Sequence, residues 1–163
     1  VEDAVRMGVD CIKMLLPWQV SDIEKVQYCK RIGKVVGEAA KWDMPVMVEP
    51  VFLNVARSPE IIEAELEVAR VGYDLGADII KITFPGVEAT AKLCAEIDIP
   101  IVVAGGPMSG DAKSTLRDIR ESIEAGAQGV VVGRKIWQRP EAEAADMIKE
   151  IAGYTRKSYT RKW

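Results

Sequence analysis

Two periods of apolar and polar positions run along the chain. Short β-branched runs at residues 11–16, 46–52, 79–84, 101–104 and 129–132 have the length and composition of strands. Amphipathic stretches with helix-start signals lie between them. Ser21-Asp22-Ile23-Glu24 reads as a capping box, the serine and glutamate each satisfying the other's orphan backbone N–H, and opens a helix expected to reach about Trp42. Ser58-Pro59 places an N-cap and a first-turn proline before a second helix ending near Gly76. Residues 87–97, 113–125 and 141–151 are the remaining expected helices, with Pro140 at the start of the last. Residues 2–7 read as the final turns of a helix already under way.

Strand and helix alternating at this pitch imply parallel strands joined by right-handed crossovers. A doubly wound sheet and a barrel both satisfy that pattern, and two features favour the barrel. The helix-to-strand joints repeat, as Gly8-Val9-Asp10, Gly76-Ala77-Asp78 and Gly126-Ala127-Gln128, with glycine supplying the left-handed cap after each helix. Residues 8–17 and 76–85 also share Gly, Asp, Ile, Lys and Pro at matching positions, as repeated βα units would. The fold expected is therefore α/β, a (β/α)8 barrel. A closed barrel needs eight strands and about 250 residues. The chain, beginning at Val1 within a helix, is expected to supply strands four to eight as a single domain over residues 1–163, with about three units preceding it.

Composition narrows the function. With 48% hydrophobic and 29% charged residues and a net charge of -3, the chain reads as one globular domain with no basic surface for nucleic acid. Arg156, Lys157, Arg161 and Lys162 in the tail read as a solvated end. No apolar run approaches the roughly 20 residues that cross a bilayer. Cys11, Cys29 and Cys94 are odd in number and lack metal spacing, which points to reduced thiols and a cytoplasmic location. There is no histidine, which excludes Ser-His-Asp chemistry and histidine-ligated metals. Proton transfer must then fall to a carboxylate, lysine, tyrosine or cysteine. No metal and no cofactor are expected.

Three charged residues sit inside apolar strands. Lys81 lies within Ile79-Ile80-Lys81-Ile82-Thr83-Phe84 and, by period-2 alternation, faces the same way as Ile79 and Thr83. Lys13 holds the corresponding place in its own strand, and Glu49 lies in Val46-Met47-Val48-Glu49-Pro50-Val51, between the two lysines in strand order. A lysine in a buried strand either snorkels to water or is a desolvated amine suited to nucleophilic attack, the more so with a second ammonium nearby. Glu49 fits either a structural ion pair or the proton-transfer group that a histidine-free site needs. Ala104-Gly105-Gly106-Pro107 and Gly133-Arg134-Lys135 end the last two strands. Such glycines serve as turns, or let backbone N–H groups approach a phosphate that Arg134 would meet with its forked cation. Trp18 could line the mouth of a pocket, while Trp137 is expected to pack the final helix.

Ala77-Asp78-Ile79-Ile80-Lys81, Val103-Ala104-Gly105-Gly106-Pro107 and the segment from Gly129 to Gln138 resemble the superfamily holding deoxyribose-phosphate aldolase, tagatose-bisphosphate aldolase and the archaeal-type class I fructose-bisphosphate aldolases. The resemblance covers nearly the whole chain, from the family's fourth strand to its last helix. It implies that Lys81 matches the Schiff-base lysine, and that Gly105, Gly106, Gly133 and Arg134 match the phosphate cradle. Ile12-Lys13-Met14-Leu15-Leu16 and Glu49 look closer to tagatose-bisphosphate aldolase, whose fifth strand carries a catalytic glutamate. The archaeal enzymes place a tryptophan and a catalytic tyrosine on that strand. Here the tyrosine position falls near Val51, so their acid/base scheme does not carry over unchanged. The family's first-strand aspartate lies outside this sequence.

The resemblance implies a class I, metal-independent aldolase that makes or breaks a C–C bond in a phosphorylated ketose, with Lys81, Glu49 and Lys13 as catalytic residues. Its expected partners are a small sugar phosphate and further copies of the same chain. Rival readings are a transaldolase-like synthase or thiolase of the same superfamily, a non-catalytic phosphate-binding or assembly subunit, and a flavin-binding barrel. The last gives two inward lysines no role.

Overall fold

In the computed structural model, the described residues are 1–53, 55–106 and 110–159. A short helix α1 (Glu2–Arg6) leads into β1 (Ile12–Pro17), α2 (Asp22–Ala39), β2 (Val46–Val51), α3 (Pro59–Asp74) and β3 (Ile79–Thr83). There follow α4 (Val87–Glu96), β4 (Ile101–Ala104), α5 (Ala112–Glu124), β5 (Gly129–Val131), α6 (Arg134–Trp137) and α7 (Glu141–Tyr159). The strands form one sheet in the order β1-β2-β3-β4-β5, and the pairs β1–β2, β2–β3 and β4–β5 are parallel. Each strand is thus followed in the sheet by the next in sequence. A doubly wound sheet reverses direction at a switch point and this one does not, which is the topology of a barrel. Pro107 and the tail cations Arg161 and Lys162 lie outside the described residues.

The five expected strands are all present, with ends shifted by no more than a residue. Ser21 caps α2 with the full capping box, and Ser58 caps α3 with Pro59 in the first turn. The helix expected to reach Trp42 tightens into a 3-10 turn over Ala40–Trp42, and Asp43, in a left-handed conformation, stops it. Two features differ from expectation: α6 was not foreseen, and α7 continues to Tyr159 rather than ending at residue 151.

The chain divides into two compact units, Val1–Lys81 and Ile82–Trp163. In the first, Leu16, Ile32, Val46, Val48, Val68, Ala69 and Ile80 are buried. Each fully buried aliphatic side chain contributes roughly 1.5–3 kcal/mol. Helix α3 approaches so closely that a Cβ on Gly72 would stand 3.0 Å from Ile80 Cδ1 and 3.0 Å from Val48 Cγ1. In β2, Val46, Val48 and Pro50 are buried, while Met47, Glu49 and Val51 on the other face are half-buried. In the second unit, Ile119, Ile136, Met147 and Ile151 form a cluster with Leu116, Val130, Val132 and Tyr154 packed against it. Leu15 and Val131, on strand faces turned away from these cores, are 45% and 41% exposed.

The repeated joints have a second role beyond the glycine cap. Asp78 donates its backbone N–H to Val46 O at 2.9 Å, and its Oδ2 accepts the Val46 N–H at 2.8 Å. Gln128 makes the same reciprocal clamp with Ile101, at 2.9 and 2.8 Å. The joint residue thereby satisfies the orphan N–H at the start of the preceding strand and pins the register. Asp78→Ala is expected to destabilise the fold by about 1–3 kcal/mol, the cost of stranding a part-buried donor, and Asp78→Asn to recover most of it. Urea unfolding of the two variants measures the difference.

Candidate active site

Glu49 is the centre of a charged cluster in the first unit. Parallel pairing sets Leu15 opposite Glu49 and Met47 opposite Ile79, so the register carried on by two residues sets Glu49 against Lys81. Because strand side chains alternate, Lys13, Glu49 and Lys81 share the sheet face opposite the helix-packed residues Leu16, Val48, Ile80 and Ile82. The carboxylate is shared: Lys13 Nζ donates to Oε2 at 2.6 Å and Lys81 Nζ lies 2.9 Å from Oε1. The Lys81 and Glu49 side chains are only 12% and 18% exposed, whereas that of Lys13 is 44% exposed. The three expected residues therefore meet in one cluster with a net positive charge, and its most enclosed amine is Lys81.

Burial pushes the Glu49 carboxyl up. The hydrogen bonds from Lys13 and Lys81, with the two positive charges, outweigh that effect and hold it below the ordinary carboxylate range. A group whose folded-state pKa is depressed stabilises the fold above its unfolded value, and that stabilisation is lost as pH falls through the folded value. We therefore expect Glu49 to stabilise the native state above the model-peptide value of about 4.3 and to cease doing so in more acidic solution. Urea denaturation from neutral pH to pH 3 is expected to show wild type losing more stability than Glu49→Gln over the acid part of that range.

The glycine motifs lie in the second unit. Gly105 donates its N–H to Val131 O at 3.2 Å, and a Cβ there would stand 2.8 Å from Val132 Cγ1. Its role is thus a close approach of two strands' ends rather than a donor held for a ligand. Gly106 has a φ of +72° with open space where a side chain would be. Gly133 precedes α6 and its carbonyl accepts the N–H groups of Ile136 and Trp137 at 2.8 and 3.2 Å. Arg134 is exposed at the start of that helix.

Trp137 corrects an expectation. Its side chain is 71% exposed rather than packed under the last helix, because the indole folds back over Gly133, where a Cβ would lie 2.5 Å from the ring. Trp18 lies beyond β1 with the Lys25 ammonium 5.2 Å from its ring centroid, and its backbone N–H donates to Val51 O.

Two polar groups escaped the reading of the sequence. Arg57, in the loop after β2, pairs at 2.8 Å with Glu65, which is buried on α3. Arg139 is nearly enclosed between α6 and α7. The spacing of Arg139 and Glu143 was a signal, but four residues' separation reads equally well as a surface helix pair.

The fold and cluster define a (β/α)8-barrel scaffold with a lysine–carboxylate–lysine site, of which this chain supplies five consecutive βα units. The chain belongs to the DeoC/LacD family of aldolases, whose model matches residues 1–139. It is 31% identical over 157 residues to a 2-amino-4,5-dihydroxy-6-oxo-7-(phosphonooxy)heptanoate synthase of Streptomyces griseus, covering 93% of this chain and 56% of that protein. Over 148 residues it is 30% identical to a class 1 fructose-bisphosphate aldolase of Thermoproteus tenax, covering 87% and 54%. Among solved structures it resembles an archaeal fructose-1,6-bisphosphate aldolase whose catalytic lysine is covalently bound to the carbinolamine intermediate of its substrate. That match has a TM-score of 0.79 and 25% identity, covering 93% of this chain and 61% of that one. The chain spans about half the length of the curated relatives it matches. Among the described residues, no helix is long and apolar enough to cross a membrane.

Proposed function

We propose that the protein is a class I, metal-independent aldolase that acts on a ketose phosphate through a Schiff base at Lys81. The observation that carries this reading is the enclosed Lys81 amine 2.9 Å from a carboxylate shared with a second lysine. Lys81 gives up its ammonium proton to water, the neutral Nζ adds to the ketone carbon, and the carbinolamine hydroxyl takes up a proton and leaves as water, giving an iminium. Glu49, ionised at neutral pH, takes the proton of the C4 hydroxyl. The C3–C4 bond then breaks, its electron pair passes to the iminium nitrogen, an aldehyde departs and an enamine remains. Protonation of the enamine carbon and addition of water release the second product and restore the amine. Lys13 holds the carboxylate from its other side and offers a cation to a substrate oxygen. Gly105, Gly106, Gly133 and Arg134 are assigned to the substrate phosphate, with Gly105 shaping the cradle and Arg134 supplying charge.

The Streptomyces relative favours a second reading with the same imine. A synthase would use the enamine to build a C–C bond on a different carbonyl acceptor. Product analysis separates the two. Incubated in chelator with ketose phosphates, the full-length protein is expected to release a triose or other aldehyde, and to be inactivated by borohydride only while substrate is present. Condensation products without cleavage select the synthase reading. Activity that survives borohydride in the presence of substrate contradicts both.

A further inference from the structure

We infer that Arg139 is a positioning residue that holds the phosphate-cradle turn at Gly133–Lys135 against the residue leading into α5 and the first turn of α7. The inference rests on the assignment of phosphate to the glycine loops after β4 and β5. Arg139 Nε donates to Lys135 O at 2.7 Å, in the turn that begins with Gly133 and Arg134. Its Nη2 donates to Gly110 O at 3.4 Å, immediately before the N-cap of α5. Its Nη1 donates to Glu143 Oε1 at 3.0 Å in the first turn of α7. The side chain is 7% exposed.

A cation this enclosed persists only where its donors are satisfied. The three acceptors are each met by a different nitrogen, Nε, Nη1 and Nη2, which suits a planar guanidinium and not a point charge. Asp111, the N-cap of α5, completes the electrostatics: the Ser114 N–H is the main cause holding its carboxyl below the ordinary range, and the Arg139 charge adds to it. One side chain therefore braces the turn that carries Gly133 and Arg134, so that part of the cradle is formed before the ligand arrives.

Titration calorimetry of the full-length protein with inorganic phosphate tests this. Arg139→Lys keeps the charge and loses the fork, and is expected to weaken phosphate about tenfold by giving up that preorganisation. The KM for a phosphorylated ketose is expected to rise by the same factor. The kcat and borohydride trapping of unphosphorylated dihydroxyacetone at Lys81 stay as in wild type. If Arg139→Lys fails to fold, Glu143→Gln, which removes one of the three partners, carries the test through a smaller loss of phosphate affinity. Unchanged affinity in the variant that folds overturns the inference. So does a parallel loss of affinity, trapping and melting temperature, which marks a general strut, and so does a wild type that binds no phosphate. Phosphate binding that depends on Arg139 in a protein that forms no imine upholds the positioning role and sinks the aldolase reading instead.

Discussion

Lys81→Met is expected to abolish turnover, lowering kcat/KM by at least about 10⁴-fold, which corresponds to roughly 5 kcal/mol of lost transition-state stabilisation. No other group in the cluster can replace it. Lys13 makes the same contact with the carboxylate but is 44% exposed, against 12% for Lys81. Methionine matches lysine in length and flexibility, and the change leaves the helix-packed face that carries Ile80 and Ile82 untouched, so folding is expected to survive. After the change Glu49 keeps its 2.6 Å partner Lys13. Melting temperature and steady-state kinetics measured on one preparation separate loss of chemistry from loss of fold. Lys81→Arg retains the charge yet is expected to be as inactive, because a guanidinium does not form the imine.

Glu49→Gln is expected to lower kcat by about 10²–10⁴-fold, the range general-base groups supply. The amide keeps the shape of the carboxylate but accepts no proton, so the C4 hydroxyl loses its base. It also removes the one anion between two ammonium groups. Breaking a buried pair costs about 3–5 kcal/mol. Here Lys13 is open to water, which screens what remains, and a loss nearer 1–2 kcal/mol is expected at neutral pH. The two consequences separate by measurement: pre-steady-state trapping reports imine formation, product release reports bond cleavage, and urea unfolding reports stability. Imine that still forms while cleavage stalls is the signature of a lost base.

Much of this site was legible in the sequence because strands are periodic. Alternation alone put Lys81 on the face opposite Ile80 and Ile82, and the shared pattern of residues 8–17 and 76–85 put Lys13 at the equivalent height. Strand order then placed Glu49 between the two lysines, and parallel pairing brought them within hydrogen-bond reach. What escaped was set by tertiary structure. Helix α6 has four residues, too few for a helical period to register. Arg139 meets Gly110 across 29 residues of chain, a contact that no local pattern encodes. The joint motifs were visible as repeats, but the side-chain half of the Asp78 and Gln128 clamps depends on which strand lies alongside. Gly105 looked like a donor for a ligand, and only the position of β5 reveals that its N–H already serves Val131.

Peptide mapping of the borohydride-reduced adduct tests the central claim most directly. The full-length protein incubated with dihydroxyacetone phosphate and borohydride is predicted to carry one reduced adduct, on the peptide containing Lys81 and on that residue. An adduct on Lys13 or on a surface lysine, or no adduct at all, would contradict the assignment of the reacting amine.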